Sequence, residues 1–237
     1  MKTTITTYRT MQHELLCQYN NPAEGNIIEK DLAILFLDLR DYTGLLQAQP
    51  AREVVHMVKK LFGFFSNVIN SFGGRVIDRA GDSLYAVFGL KTSVQTAVVE
   101  AFNASKMLFD ALAYFNTNFA VARFNKPIEI GIGLHAGNVI IEEMQNEQGA
   151  YLSVMGLPVN IAARLQAETR VLDNDFIVSE HAYGMLDGAQ RNDQHFESRS
   201  VNVHGVNNKQ SIRLAGSAYH NSKLLNDELS YLLAIAG

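Results

Sequence analysis

The sequence predicts an α/β chain of the α+β sandwich type, with a ferredoxin-like βαββαβ core and an extended antiparallel sheet. Three observations carry this prediction. Ala33-Ile34-Leu35-Phe36-Leu37 is continuously apolar and short, which suits a strand covered on both faces. Two long stretches carry apolar residues at helical spacing. Short apolar runs around glycine turns follow each of them, so the order reads strand, helix, hairpin, helix, hairpin, helix, strand.

The elements follow in chain order. Residues 1–29 are weakly patterned and read as an N-terminal extension, with a helical turn or two around Met11 to Tyr19 that Asn20-Asn21-Pro22 ends. The strand at 33–37 closes in the polar turn Asp38 to Thr43. Val54, Val55, Val58, Leu61, Phe62, Phe65, Val68 and Ile69 then mark a helix over 51–71, capped by Gly73-Gly74. Arg75–Arg79 and Ser83–Phe88 form a hairpin through Ala80-Gly81-Asp82. Thr92 or Ser93 caps a second long helix that runs to about Phe119. Ile128–His135 and Val139–Glu143 read as two strands split at Ala136-Gly137-Asn138, a second hairpin. Pro158 opens an amphipathic helix over 159–169, and Phe176-Ile177-Val178 is strand-like. One folded domain over 30–217 is expected, then a tail over 218–237 with a helix from Lys223 to Ala236.

Composition narrows the function classes. A hydrophobic fraction of 47% with 19% charged residues is globular, not disordered. The net charge of −4 and the lack of a basic block argue against a nucleic-acid partner. A single cysteine, Cys17, leaves no internal disulfide and no cysteine-based zinc site, as in a reducing cytoplasm. No run is long and apolar enough to span a bilayer, and residues 1–12 lack the core of a signal peptide. The expectation is a cytoplasmic protein with no membrane partner.

Several residues can carry chemistry. Asp38 follows the buried strand, where the sheet meets solvent, and Asp82 sits at the tip of the next hairpin. If the two strands are neighbours, the carboxylates converge into a hard oxygen site for Mg²⁺ or Mn²⁺. On position alone, a helix cap at Asp38 and a turn residue at Asp82 are as good a reading. The loop Leu39-Arg40-Asp41-Tyr42-Thr43 opens a helix, so its N–H groups and Arg40 can cradle phosphate, or it is an ordinary βα connection. Asn160 and Arg164 are spaced i, i+4 and share one helix face, suited to a ribose oxygen and a phosphate; alone, such a pair is more often solvated.

Four segments carry a resemblance. Phe36-Leu37-Asp38-Leu39-Arg40-Asp41-Tyr42-Thr43, Gly81-Asp82-Ser83-Leu84-Tyr85-Ala86-Val87, Gly131-Ile132-Gly133-Leu134-His135-Ala136-Gly137 and Met155-Gly156-Leu157-Pro158-Val159-Asn160-Ile161-Ala162-Ala163-Arg164-Leu165 together resemble the class III adenylate/guanylate cyclase catalytic domain, in the family's order and over roughly residues 30–215. The resemblance implies closure of a nucleoside triphosphate into a 3′,5′-cyclic nucleotide with release of pyrophosphate. It implies two divalent cations, Mg²⁺ or Mn²⁺, held by Asp38, Asp82 and the backbone carbonyl of Leu39. Asn160 would orient the ribose and Arg164 would stabilise the transition state. It also implies a head-to-tail homodimer whose sites are shared between subunits.

The sequence departs from the adenylate cyclase pattern at the base-reading positions. Asp78 stands where those enzymes usually have Lys, four residues before the second metal aspartate, and Ser153 stands where they usually have Asp or Thr. A Lys-to-Asp exchange replaces a donor with an acceptor, which suits the amine of cytosine or the N3–H of uracil. Tyr42 replaces the usual Phe. These features resemble the pyrimidine cyclases of Pycsar antiphage systems and imply cyclic UMP or cyclic CMP as an alarm signal. Two alternatives stand beside this one: an adenylate cyclase that reads its base differently, and an inactive nucleotide-binding or dimerisation module. The joint survival of Asp38, Asp82, Asn160 and Arg164 favours an enzyme. His135 is expected to be a structural histidine satisfied by backbone. Arg170 could touch phosphate but is more often, in such a place, a solvated charge at a helix end.

Overall fold

The computed structural model describes residues 27–146, 149–193, 195–202 and 209–219. The expected helical turns near Met11 and the helix over 223–236 lie outside the described residues.

The apolar run at 33–37 forms the centre of a longer strand, β1 (Ile27–Leu39). Two helices follow, α1 (Tyr42–Ala48) and α2 (Ala51–Ser71). The hairpin is β2 (Arg75–Ala80) and β3 (Ser83–Phe88). Ser93 caps α3 (Val94–Phe115), its hydroxyl accepting from the Thr96 N–H. A π-helical turn over Asn116–Ala120 and a short α4 (Val121–Phe124) continue that helix. Next come β4 (Ile130–Asn146), β5 (Gly149–Met155), α5 (Leu157–Val171) and β6 (Phe176–Ser179). The described chain finishes with α6 (Glu180–Met185), α7 (Gly188–Asp193), β7 (Glu197–Val201) and β8 (Gln210–Leu214).

The sheet runs β2-β3-β1-β4-β6-β8-β7, with β5 paired to β4 off that path. The first four strands of that order are the ferredoxin-like core. Every pairing is antiparallel except β4 with β6. Alternation along β1 explains the two-faced core. Ala33, Leu35, Leu37 and Leu39 point to the face covered by α2 and α3, where Phe65, Phe88, Phe102 and Phe176 are fully buried. Leu32 and Ile34 point to the other face, packed with Val139, Ile141 and Ala162 of α5.

One expected break is absent. Ala136-Gly137-Asn138 is not a turn, because β4 runs straight through it and pairs with β1 on one edge. The second hairpin lies further on, with β4 and β5 in register from Ile140–Met155 to Asn146–Gly149. The glycines of β4 serve packing. A Cβ on Gly133 would lie 2.3 Å from the Gln166 nitrogen and 2.5 Å from the Ala162 oxygen, and one on Gly137 would meet the Pro158 ring at 2.7 Å. Gly131 faces Thr169 and Gln166 in the same way. Three side-chain-free positions on one face of β4 thus let α5 lie directly on the sheet.

Candidate active site

Asp38 is the penultimate residue of β1, paired across the ladder with Ser83 of β3 and Gly131 of β4. It was expected in a loop; it stands instead in the strand, with its side chain on the α5 face. Ser83 donates to its Oδ1 at 2.5 Å. Asp82 is in the turn before β3, and its carbonyl accepts from the Leu39 N–H at 3.0 Å. The two aspartates are therefore brought together. Burial, opposed by the Ser83 hydrogen bond, raises the Asp38 carboxyl above its ordinary range; the neighbouring Asp82 charge raises it further, while Arg170 and Arg40 lower it. A carboxylate raised by burial beside a second carboxylate forms a donor pair that a divalent cation stabilises.

Beside them lies a cleft of about 440 Å³, lined by Leu39 to Thr43, Asp82, Glu129, Arg170, Asp173 and Tyr219. The whole predicted loop faces it. Asp41 takes a left-handed conformation (φ 52°), tolerated by aspartate, and pairs with Lys126 at 2.8 Å. Helix α1, which starts at Tyr42, is only seven residues long. The lining carries four carboxylates, Asp41, Asp82, Glu129 and Asp173, against the guanidiniums of Arg40 and Arg170. A polyanion enters such a cleft only with added positive charge, and hard oxygen donors suit Mg²⁺ or Mn²⁺. Among the described residues, no group of three or more His, Cys, Asp or Glu gathers at one point. Two carboxylates with substrate phosphates completing the shell is the usual arrangement for Mg²⁺.

Asn160 and Arg164 are not at this cleft. Both lie on α5, Asn160 exposed and Arg164 half-buried, with no side-chain partner among the described residues. The end of α5 near the aspartates is marked by Thr169 against Gly131 and by Arg170 in the cleft, while Pro158 sits at Gly137. Asn160 is ten residues before Arg170, about 15 Å along the helix axis, and Arg164 about 9 Å.

The base-reading positions lie elsewhere again. Asp78 is exposed on β2, opposite Tyr85, just after a register shift at Val76/Asp78. Its Oδ1 accepts from the Arg79 N–H at 2.7 Å, whereas the Arg79 side chain reaches Ser66 on α2. Tyr85 stacks on Phe36 at 4.6 Å, and its hydroxyl approaches the Val154 carbonyl at 3.4 Å. Ser153, half-buried, pairs with Glu142 in the β4–β5 ladder.

Arg170 is exposed, as expected of a solvated charge, and also lines the cleft. Two findings were not anticipated. Tyr219 and Thr169 both accept from Arg40, although the two are 179 and 129 residues distant in sequence and no local pattern links them. His135 is buried, as expected of a structural residue, but its partner is the Ser179 hydroxyl at 2.8 Å and not backbone. That hydroxyl accepts from the Ala182 N–H, so its own hydrogen is available to His135 Nδ1, which suits a neutral ring.

Known proteins are similar to this chain in sequence and in fold. An adenylate cyclase of Anabaena cylindrica is 24% identical over 191 residues, 79% of this chain and 37% of that protein. Adenylate cyclase 1 of Rhizobium meliloti is 23% identical over 157 residues, 66% of this chain and 23% of its own length. An uncharacterised protein of Mycobacterium tuberculosis is 28% identical over 137 residues, 58% of this chain and 24% of that protein. The chain thus spans 23% to 37% of the length of these relatives. Among solved structures, the guanylyl cyclase Cya2 superposes with a TM-score of 0.70 at 23% identity, covering 81% of this chain and 95% of that one. The adenylyl cyclase CyaB of P. aeruginosa superposes at 0.71 with 17% identity, covering 82% and 98%. Both share the fold. The adenylate and guanylate cyclase catalytic domain model matches residues 28–215, most of the sequence, and the chain belongs to that family, the class III cyclases.

Proposed function

We propose that this chain is a nucleotidyl cyclase that converts a nucleoside triphosphate to a 3′,5′-cyclic nucleotide and pyrophosphate. The observation that carries the reading is the convergence of Asp38 and Asp82 beside a cleft that Asp82 and the Leu39–Thr43 loop line. In this reading Asp38, Asp82 and the Leu39 carbonyl hold two divalent cations, Mg²⁺ or Mn²⁺. Such cations, when bound, lower the pKa of the 3′-hydroxyl and neutralise the triphosphate. The residues of the chain do the rest. The Arg40–Thr43 segment and Arg170 orient the polyphosphate, and Ser83 holds Asp38 toward the nucleotide. Asn160 fixes the ribose, and Arg164 supplies fixed positive charge where the α-phosphate oxygens gain negative charge.

The spacing along α5 supports a composite site. Asn160 lies about 15 Å along the helix from the residues that flank Asp38, and a site shared between two subunits accommodates that separation. A head-to-tail homodimer brings the metal pair of one subunit to the Asn160–Arg164 face of the other.

For the base, the reading is a pyrimidine. Asp78 offers an exposed carboxylate acceptor beside Tyr85, where adenine recognition needs a donor, and Ser153 serves either base edge. An antiphage signalling role follows from the resemblance to Pycsar cyclases. The adenylate cyclases among the relatives support a second reading, cyclic AMP. Incubation with ATP, GTP, CTP and UTP in Mn²⁺, followed by chromatography of the products, separates them. Cyclic UMP or cyclic CMP is expected as the major product. Faster turnover of ATP than of UTP and CTP removes the pyrimidine reading and leaves the cyclase; no cyclic product from any of the four removes both.

A further inference from the structure

Arg40 is held in an unusual way. Its backbone N–H donates to the Glu129 carbonyl at 2.8 Å, anchoring the loop. Its Nη2 donates to Thr169 Oγ1 at 2.8 Å and to the Tyr219 hydroxyl at 2.6 Å. Its guanidinium carbon lies 4.1 Å above the centre of the Tyr219 ring. Thr169, fully buried, passes its own hydrogen to the Gln166 carbonyl, so its oxygen is committed as an acceptor toward Arg40. Arg40 Nε is buried without a partner, so the guanidinium is held in place at the expense of one donor. Tyr219 is itself buried, and its N–H is tied to Asp173. The group held this way lines the same cleft as Asp82.

We propose that Tyr219 is a positioning residue for the polyphosphate: its ring and hydroxyl hold the Arg40 guanidinium at the cleft wall, so that Arg40 meets the phosphates already ordered. This rests on the cyclase reading above for its substrate. The physical case is entropic and electrostatic. A free arginine surrenders much side-chain freedom on binding an anion, whereas one stacked on an aromatic face and bonded along one edge has already surrendered it. The stack also fixes a positive charge at the wall of a cleft otherwise rich in carboxylates.

The test uses the full chain with Mn²⁺ and two probes: inorganic tripolyphosphate, which has no base or ribose, titrated by calorimetry, and the best nucleoside triphosphate substrate, followed by steady-state kinetics. Tyr219→Leu removes both stack and hydroxyl. It is expected to weaken tripolyphosphate binding on the order of 10-fold and to raise KM by a similar factor, with kcat changed much less. Tyr219→Phe keeps the ring and should recover most of the affinity, leaving a loss of about 3-fold. Because Tyr219 acts through Arg40, the double variant with Arg40→Met should be no worse than Arg40→Met alone. Unchanged tripolyphosphate affinity in folded Tyr219→Leu, or losses that add in the double variant, overturns the proposal. If Tyr219→Leu does not fold, an unchanged affinity in Tyr219→Phe overturns it equally. Wild-type protein that binds tripolyphosphate but cyclises no nucleotide sinks the cyclase reading, and the titrations still decide the role of Tyr219.

Discussion

Asp38 shows how one residue serves two levels of the molecule. It is a strand residue with ladder partners on both sides, and its carboxyl is raised by burial yet satisfied by Ser83. Asp38→Asn retains an acceptor for Ser83 and removes a burdened charge, so the melting temperature should hold while turnover falls on the order of 10³-fold or more. Asp82→Ala, in a turn, should behave likewise. Wild-type-like cyclisation by either variant contradicts the metal assignment. His135 titrates independently of the site. Burial, then the His181 charge, lowers its pKa to about 4. An unfolded histidine takes up a proton below about pH 6.5 and the folded one only near 4, so the stability from a neutral His135 is whole above 6.5 and is lost as pH falls toward 4. The loss reaches about 3 kcal/mol. Asp175, raised by burial to about 6, works the other way, losing stability as pH rises from 3.8 to 6. Comparing wild type with His135→Gln isolates the histidine: between pH 7 and 4.5 the wild-type melting temperature should fall more steeply. Parallel curves refute the assignment. These residue-level features differ in legibility. Asp38 and Asp82 could be found from the sequence because each ends or turns a strongly patterned strand. Tyr219 could not, since its meeting with Arg40 depends on the whole sheet being assembled.

At the scale of elements, the helices and the first hairpin were legible because their apolar periods are long and their caps are local. The break predicted in β4 failed for a physical reason. Glycine marks both turns and close approach, and the sequence around Gly137 does not distinguish them. Its partner, Pro158, is about twenty residues away on another element. The same glycines yield a contrast that can be measured. In Gly133→Ala the new methyl meets helix backbone at 2.3 and 2.5 Å, so α5 must move. A loss on the order of 2–4 kcal/mol is expected. Because Asn160 and Arg164 ride on α5, kcat should fall as well, by up to about 10²-fold for a displacement near 1 Å. Gly63, in the interior of α2, has open space around it. Gly63→Ala should therefore raise stability by about 0.5–1 kcal/mol without touching activity. Denaturant titrations of the two variants check both signs. A Gly133→Ala protein as stable and active as wild type would mean that α5 does not need its close seat on β4.

At the scale of the whole molecule, the question is whether one chain or two build the site. The distance along α5 argues for two, and so does the surface. Ile140, Met144, Tyr151, Met155 and Leu157 are exposed on the β4–β5 hairpin and the start of α5, near Asn160. Exposed large apolar side chains grouped this way suit an interface. The proposed head-to-tail dimer would have two equivalent sites, each taking its metal carboxylates from one subunit and its Asn160–Arg164 pair from the other. Asp38→Ala and Asn160→Ala proteins should each be nearly inactive alone. Mixed and allowed to exchange, about half the dimers are heterodimers. One site in each heterodimer collects both lesions and is dead. The other pairs an intact Asp38 with an intact Asn160. Activity should return to roughly a quarter of the wild-type level. The assay is turnover of the preferred triphosphate before and after mixing, with exchange followed by a fluorescent label on one variant. Exchange without recovery would mean that each chain completes its own site.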